Sequence, residues 1–181
     1  CRSSKHTLIY KYSIMNETIE HNDLHVLFVE QLRDILWAEK QLLKAIPKKI
    51  KKTSNAMLQK AFEFHLKETN KQVERLNQVF AALDLQPRAK KCDAMAGLLE
   101  EGDSLAEEFG DSDALDAALI CAAQKVEHYE IAAYGTLAAY AELLGYNSCV
   151  KLLKQSLAEE SACDEKLTDI AMKTVNSMAA M

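Results

Sequence analysis

The chain has 181 residues, of which 49% are hydrophobic and only 7% aromatic, with 5 glycines and 2 prolines. This composition favours helix throughout and suits one domain with a sizeable core. The formal net charge of −5 gives no overall attraction to nucleic acid, and no apolar run approaches the roughly 20 residues of a membrane-spanning helix. We therefore expect neither nucleic acid nor a membrane as a partner.

The five cysteines are scattered along the chain without a Cys-x-x-Cys pair. This spacing argues against a zinc ribbon, a thioredoxin-type motif and a disulfide scaffold, and it favours a cytoplasmic location. Residues 1–23 are predicted to be an N-terminal extension that is disordered or partly artefactual, because Met15 opens a more natural start than Cys1. Residues 1–14 lack the apolar core and cleavage site of a signal peptide.

The first half of the remaining chain predicts a helical hairpin. Apolar residues recur at spacings of three and four, which indicates a helix over about residues 24–46 that is disturbed or ended near Pro47. Residues 53–55 (Thr-Ser-Asn) offer capping oxygens for a second helix over about residues 56–83. The short turn between the two helices makes them antiparallel neighbours.

The second half predicts another hairpin after a long connection. Residues 84–112 contain a Gln-Pro-Arg break and one shorter amphipathic helix over about residues 93–109. A third long helix is predicted over about residues 114–144, and a tight turn leads to a fourth over about residues 148–173. Residues 175–181 are expected to form a frayed tail.

Two helical hairpins joined by one long crossover describe an all-α, ferritin-like four-helix bundle over residues 24–174. A plain up-and-down bundle with a helical insertion is the alternative that the sequence leaves open. In both arrangements the apolar stripes of the four long helices face a common centre.

Each of the four long helices carries a carboxylate on its apolar stripe. An unpaired buried carboxylate is costly, so it is protonated, paired or bound to a metal. In di-iron and di-manganese bundles, a Glu from each of two helices and a Glu-x-x-His motif from each of the other two converge at the centre. The candidate metal ligands and their closest supports are Glu39, Glu68, Glu127, Glu130, Glu160, His65, Asp164 and Gln72.

The motifs match this ligand pattern only in part. The second helix has His65-x-x-Glu68, which is the reverse order, and the fourth has Glu160-x-x-Cys163, with Cys in the position of the His. Packing is the better explanation for Cys163, and Gln72 is expected to support a ligand. Oxygen ligands with an imidazole suit iron(II) or manganese. A metal-free centre held by hydrogen bonds or salt bridges remains the alternative.

Five segments resemble the YciF/YciE family of bacterial ferritin-like stress proteins, and together they span about residues 24–174. The resemblance implies a ferritin-like bundle in the cytoplasm, a homodimer, expression under stress, and a di-iron centre at the carboxylates named above. The segments are AEKQLLKAIPK at residues 38–48, HLKETNKQVERL at 65–76, KCDAMAGLLEEG at 91–102, AQKVEHYEIAAYGTL at 123–137 and LAEESACDEKL at 157–167.

The sequence thus predicts a dimetal carboxylate stress protein that handles iron or peroxide. Two iron ions, with manganese as a second choice, would be oxidised by peroxide or O₂ at the bundle centre, as in a ferroxidase or peroxidase. Whether the chain is an enzyme at all stays open. The alternative is a metal-free, dimeric helical stress protein that acts through protein partners, using the acidic crossover or the basic cluster at residues 48–52.

Overall fold

The computed structural model describes residues 23–181, and every regular element in this part of the chain is helical. The predicted N-terminal extension lies, up to residue 22, outside the described residues. The elements are α1 (Asp23–Lys52), α2 (Ala56–Ala82), α3 (Asp93–Glu108), α4 (Leu115–Leu143), α5 (Asn147–Ile170), a π-helical turn (Ala171–Val175) and α6 (Asn176–Ala179).

The four long helices pack as two hairpins, α1 with α2 and α4 with α5. The hairpins meet along α2 against α5 and α1 against α4, and α3 of the crossover packs on α4. This arrangement confirms the predicted four-helix bundle with a helix in its long connection. Large apolar side chains from all five of these helices fill the interior: Phe28, Leu32, Ile35, Leu36, Leu42, Leu58, Leu76, Phe80, Met95, Leu119, Leu137 and Leu153.

The first helix does not end at Pro47, and the prediction of an end there is wrong. It continues through the proline to Lys52. Proline removes one backbone hydrogen bond of a helix interior. The turns on either side of the proline bury Ile46 and Lys49, and their packing offsets that loss.

The loop between α1 and α2 is held by α4. Asn55 caps α2, because its side-chain oxygen accepts hydrogen bonds from the backbone N–H groups of the second and third helical residues at 2.9 and 3.1 Å. Asp116 of α4 accepts hydrogen bonds from the Ser54 N–H and hydroxyl, the Asn55 N–H and the Thr53 hydroxyl. One buried carboxylate therefore joins the turn of the first hairpin to the second hairpin.

The turn between α4 and α5 depends on a glycine. Gly145 has a φ of +76°, a conformation that costs a residue with a side chain more than it costs glycine. At the other end of α5 the chain stays helical to Ala179, whereas the sequence predicts a frayed tail from residue 175. Val175 is buried and anchors these last turns to the core.

None of the described helices is both long and apolar enough to cross a membrane.

Candidate metal centre

Four helices bring buried polar side chains to the middle of the bundle. Each of the six side chains is at most 4% exposed, although none is apolar. They come from α1, α2, α4 and α5, as the interrupted stripes predict. The residues are Glu39 of α1, His65 and Gln72 of α2, Glu127 and Glu130 of α4, and Glu160 of α5.

Four of these side chains form one compact group, which we call the central cluster: His65, Glu127, Glu130 and Glu160. One donor atom from each lies within 4.8 Å of the donor atoms of the others. His65 Nε2 is 3.5 Å from Glu127 Oε1, and His65 Nδ1 is 4.0 Å from Glu160 Oε2. The spacing lets several donors reach one cation placed between them.

Most of the inward-facing atoms have no hydrogen-bond partner. A buried polar atom without a partner costs about 1–3 kcal/mol, and a buried ionised group costs more. A bound cation would satisfy the oxygens and the imidazole nitrogen together, so the donor set fits a metal. The unpartnered atoms are Glu39 Oε2, His65 Nδ1, Gln72 Oε1, Glu127 Oε2, both carboxylate oxygens of Glu130, and Glu160 Oε2.

Without a cation, burial favours the neutral forms of the cluster. Burial raises the pKa of Glu130 well above its ordinary value, and the negative charge of Glu160 raises it further. Burial and the charge of Glu160 raise the pKa of Glu127 in the same way. Burial also lowers the pKa of His65 to about 4, assisted by the charge of Lys49. A neutral imidazole is the form that binds metals.

Glu39 lies beside the central cluster rather than within its 4.8 Å group. The Tyr134 hydroxyl donates a hydrogen bond to Glu39 Oε1, which leaves Oε2 as the free oxygen. Burial raises the pKa of Glu39, and so does the charge of Glu160. Glu39 is therefore close enough to share the electrostatics of the cluster and is a candidate ligand for a second ion.

A polar layer between α2 and α5 supports Glu160. Gln72 donates hydrogen bonds to Glu160 Oε1 and, at 3.2 Å, to Glu159 Oε2. Arg75 donates to Glu159 and, at 2.8 Å, to the Ser156 hydroxyl. Gln72 therefore holds the side chain of Glu160 in place. Arg75 and Glu159 were not predicted to belong to this layer, although a residue three positions after Gln72 on the same helix face is where such a partner is expected.

Glu68 lies at the rim of the site, where it is half-buried and outside the central cluster. Burial and the charge of Glu159 raise the pKa of Glu68 to about 7. Its side chain lines a groove of about 410 Å³ between α2 and α5, together with Met57, Phe64 and Cys163. Glu68 thus lies in the wall of the groove, partly exposed to solvent.

Asp164 lies outside the central cluster. Its Oδ2 atom is 3.4 Å from Nε2 of the exposed His128, and its Oδ1 atom accepts a hydrogen bond from Gln124 at 3.0 Å. It bridges α4 and α5 beside the site. The neighbouring Cys163, which was predicted to be a packing residue, has a donor atom within 4.8 Å of those of His65 and Glu127.

The chain is similar to known proteins along the whole of the bundle. The family model described as a domain of unknown function, DUF892, matches residues 23–180. Protein YciF of Escherichia coli strain K12 is 51% identical over 154 residues, which cover 84% of this chain and 93% of that protein.

Solved structures give the same result. The crystal structure of the Escherichia coli stress protein YciF has a TM-score of 0.81 at 49% identity, covering 86% of this chain and 98% of that one. YcfI from Rhodopseudomonas palustris has a TM-score of 0.79 at 46% identity, covering 81% and 94%. A protein from Xanthomonas campestris, at 18% identity, shares the fold with a TM-score of 0.68 and covers 87% and 96%. The chain therefore belongs to the DUF892 family, and it is similar to the stress protein YciF over most of its length, as its sequence motifs predict.

Proposed function

We propose that this stress protein binds two transition-metal ions at its bundle centre, iron first and manganese as a second choice, and handles iron or peroxide there as a homodimer. The observation that carries the proposal is the central cluster, in which buried donors from three helices lie within 4.8 Å of one another. Their inward-facing atoms lack hydrogen-bond partners, which is the condition that a bound cation would relieve.

Each residue has a defined task in this proposal. Glu127, Glu130 and Glu160 would supply the negative charge that holds the ions, and neutral His65 would add a nitrogen ligand that favours transition metals over magnesium. Glu39 would complete the set from α1. When bound, a pair of iron ions would supply the electrons that reduce peroxide or O₂.

Hydrogen bonds around the site keep the ligands in place. Gln72 donates to one oxygen of Glu160, and Tyr134 donates to one oxygen of Glu39, so that in each case the second oxygen is left for a metal. Support of this kind commonly changes metal affinity by about 10–100-fold. Glu68, whose pKa is raised to about 7, can hold or release a proton at the rim near neutral pH.

The first test is metal analysis of protein purified without chelators, followed by anaerobic iron(II) titration of the metal-free form. We expect about two ions per chain in the wild type and fewer in Glu130→Gln and Glu160→Gln. The matched control is Glu63→Gln, which changes an exposed carboxylate of α2 and should bind iron as the wild type does. Wild-type protein that binds no iron(II) and no manganese would overturn the proposal.

The competing function is a metal-free helical stress protein that acts through protein partners. It is favoured by one observation: burial raises the pKa values of Glu39, Glu127 and Glu130, so protons could occupy the centre in place of metals. This alternative requires stability that does not change with chelators or added metals. The same titration decides between the two functions.

A further inference from the structure

Cys163 connects the central cluster to the groove between α2 and α5. It lines the groove together with Glu68 and Phe64, and Phe64 is 61% exposed. On its other side, its donor atom lies within 4.8 Å of those of His65 and Glu127. A side chain that only filled space in the bundle would not need to lie between the groove and the central cluster.

The two partners of Cys163 have free binding capacity. His65 Nδ1 and Glu127 Oε2 are buried atoms without hydrogen-bond partners, and both residues are at most 4% exposed. Sulfur, imidazole nitrogen and carboxylate oxygen from Cys163, His65 and Glu127 thus converge on one point. This is a three-residue donor set of the kind that catalytic zinc sites use, with the fourth position left to water or substrate.

The remaining donors differ in chemical type. Glu130 and Glu160 offer only oxygen, and Glu127, like His65, belongs both to their donor group and to that of Cys163. Carboxylate oxygens suit iron(II) and manganese, whereas a thiolate favours softer ions such as zinc. The two overlapping donor groups therefore differ in the metals that they favour.

We propose that Cys163 is a metal ligand and that the two metal positions are unlike: a sulfur-containing one formed by Cys163, His65 and Glu127, which prefers zinc, and an oxygen-rich one formed by Glu130, Glu160 and Glu127. This inference rests on the proposed function, because it requires the bundle centre to bind metals. Both positions can take iron when iron is the metal supplied, and the inference adds that the sulfur-containing position prefers zinc where zinc is present.

The test uses cobalt(II) as a spectroscopic substitute for zinc. Cobalt(II) is titrated into metal-free protein while its near-ultraviolet and visible absorption is recorded, since a cobalt–thiolate bond produces a charge-transfer band that oxygen ligands do not. We expect the band in the wild type and its loss in Cys163→Ser, which should still bind cobalt at the oxygen-rich position. Zinc should remove the wild-type band at equimolar concentration, and manganese should not.

The matched control is Cys121→Ser, because Cys121 is exposed on α4 and its substitution should leave the band unchanged. Far-ultraviolet circular dichroism verifies that each variant folds. A band that survives in Cys163→Ser, or cobalt that binds the wild type without any such band, overturns the role of Cys163 and leaves the dimetal centre standing. Wild-type protein that binds no cobalt also overturns the role of Cys163, and the iron(II) titration then decides separately whether the dimetal centre stands.

Discussion

Substitution of Glu130 by Gln should make the metal-free protein less sensitive to pH. The Glu130 side chain has no exposed area, and neither of its oxygens has a hydrogen-bond partner. Burial raises its pKa well above the ordinary value of 4.5. The folded protein therefore keeps this proton at a pH where the unfolded chain has lost it. Because the unfolded state then binds fewer protons, stability falls as pH rises above 4.5.

The magnitude follows from proton linkage. A difference of one bound proton changes the free energy of unfolding by about 1.4 kcal/mol per pH unit. Glutamine has nearly the same shape and no proton to lose, so the variant lacks this contribution. The unfolding free energy of Glu130→Gln minus that of the wild type should therefore grow by about 1.4 kcal/mol for each pH unit above 4.5. Any cost of a buried, unpartnered amide shifts the difference at every pH without changing this slope.

The assay is urea unfolding followed by far-ultraviolet circular dichroism, in the presence of a chelator, at several pH values between about 5 and 6.5. Glu63→Gln controls for the loss of one carboxylate from the exposed surface of α2. A difference between Glu130→Gln and wild type that does not change with pH would refute the reasoning, because it would mean that Glu130 ionises in the folded state as readily as in the unfolded chain.

Three further predictions concern the same protein. Iron(II) or manganese at a free concentration of about 100 times its dissociation constant should stabilise the wild type by about 2.7 kcal/mol. In calorimetry this is a rise in melting temperature of roughly 5–10 °C, and Glu130→Gln should show a much smaller rise. Asp116→Ala should lower the free energy of unfolding by about 2 kcal/mol, because it removes hydrogen bonds that a carboxylate accepts from part-buried N–H groups of the α1–α2 turn. Burial raises the pKa of Asp116, but its hydrogen bonds outweigh that effect and lower the pKa on balance. The stabilisation by Asp116 is therefore present above pH 3.8 and is lost as the pH falls through the lowered pKa. Urea unfolding at several pH values measures this loss, and Asp113→Ala is the exposed control. Tyr134→Phe should destabilise the metal-free protein by about 1 kcal/mol through loss of the hydrogen bond to Glu39, an effect absent from Tyr140→Phe in the same unfolding assay.

The polar centre was predictable in part because its signal is local. A Glu that replaces an apolar residue at a spacing of three or four must face the same way as its neighbours, whatever the helix packs against. This reasoning found Glu39, Glu127, Glu130 and Glu160, all of which are buried in the structure. The same spacing also located the four long helices to within a few residues at most boundaries.

The position of each side chain relative to another helix was not predictable in this way. Glu68 and Glu160 interrupt equivalent stripes, yet Glu68 lies half-buried at the groove while Glu160 is fully buried. The Asp164 side chain bridges α4 and α5 beside the cluster, whereas Cys163 one residue earlier reaches His65. Each residue turns a helix by about 100°, so a small rotation of α5 decides which of these two neighbours faces the centre.

Periodicity and turn residues act over a few positions of the chain, so they were enough to predict the helices, their pairing into hairpins and the carboxylates on the buried faces. The rotation and axial offset of each helix against the others are set by tertiary packing. Those two quantities depend on how side chains from different helices fit together. The rotation and offset of α5 place Cys163 beside His65 and Glu127. They also bring Glu160 and Glu159 within hydrogen-bond distance of Gln72 and Arg75 of α2.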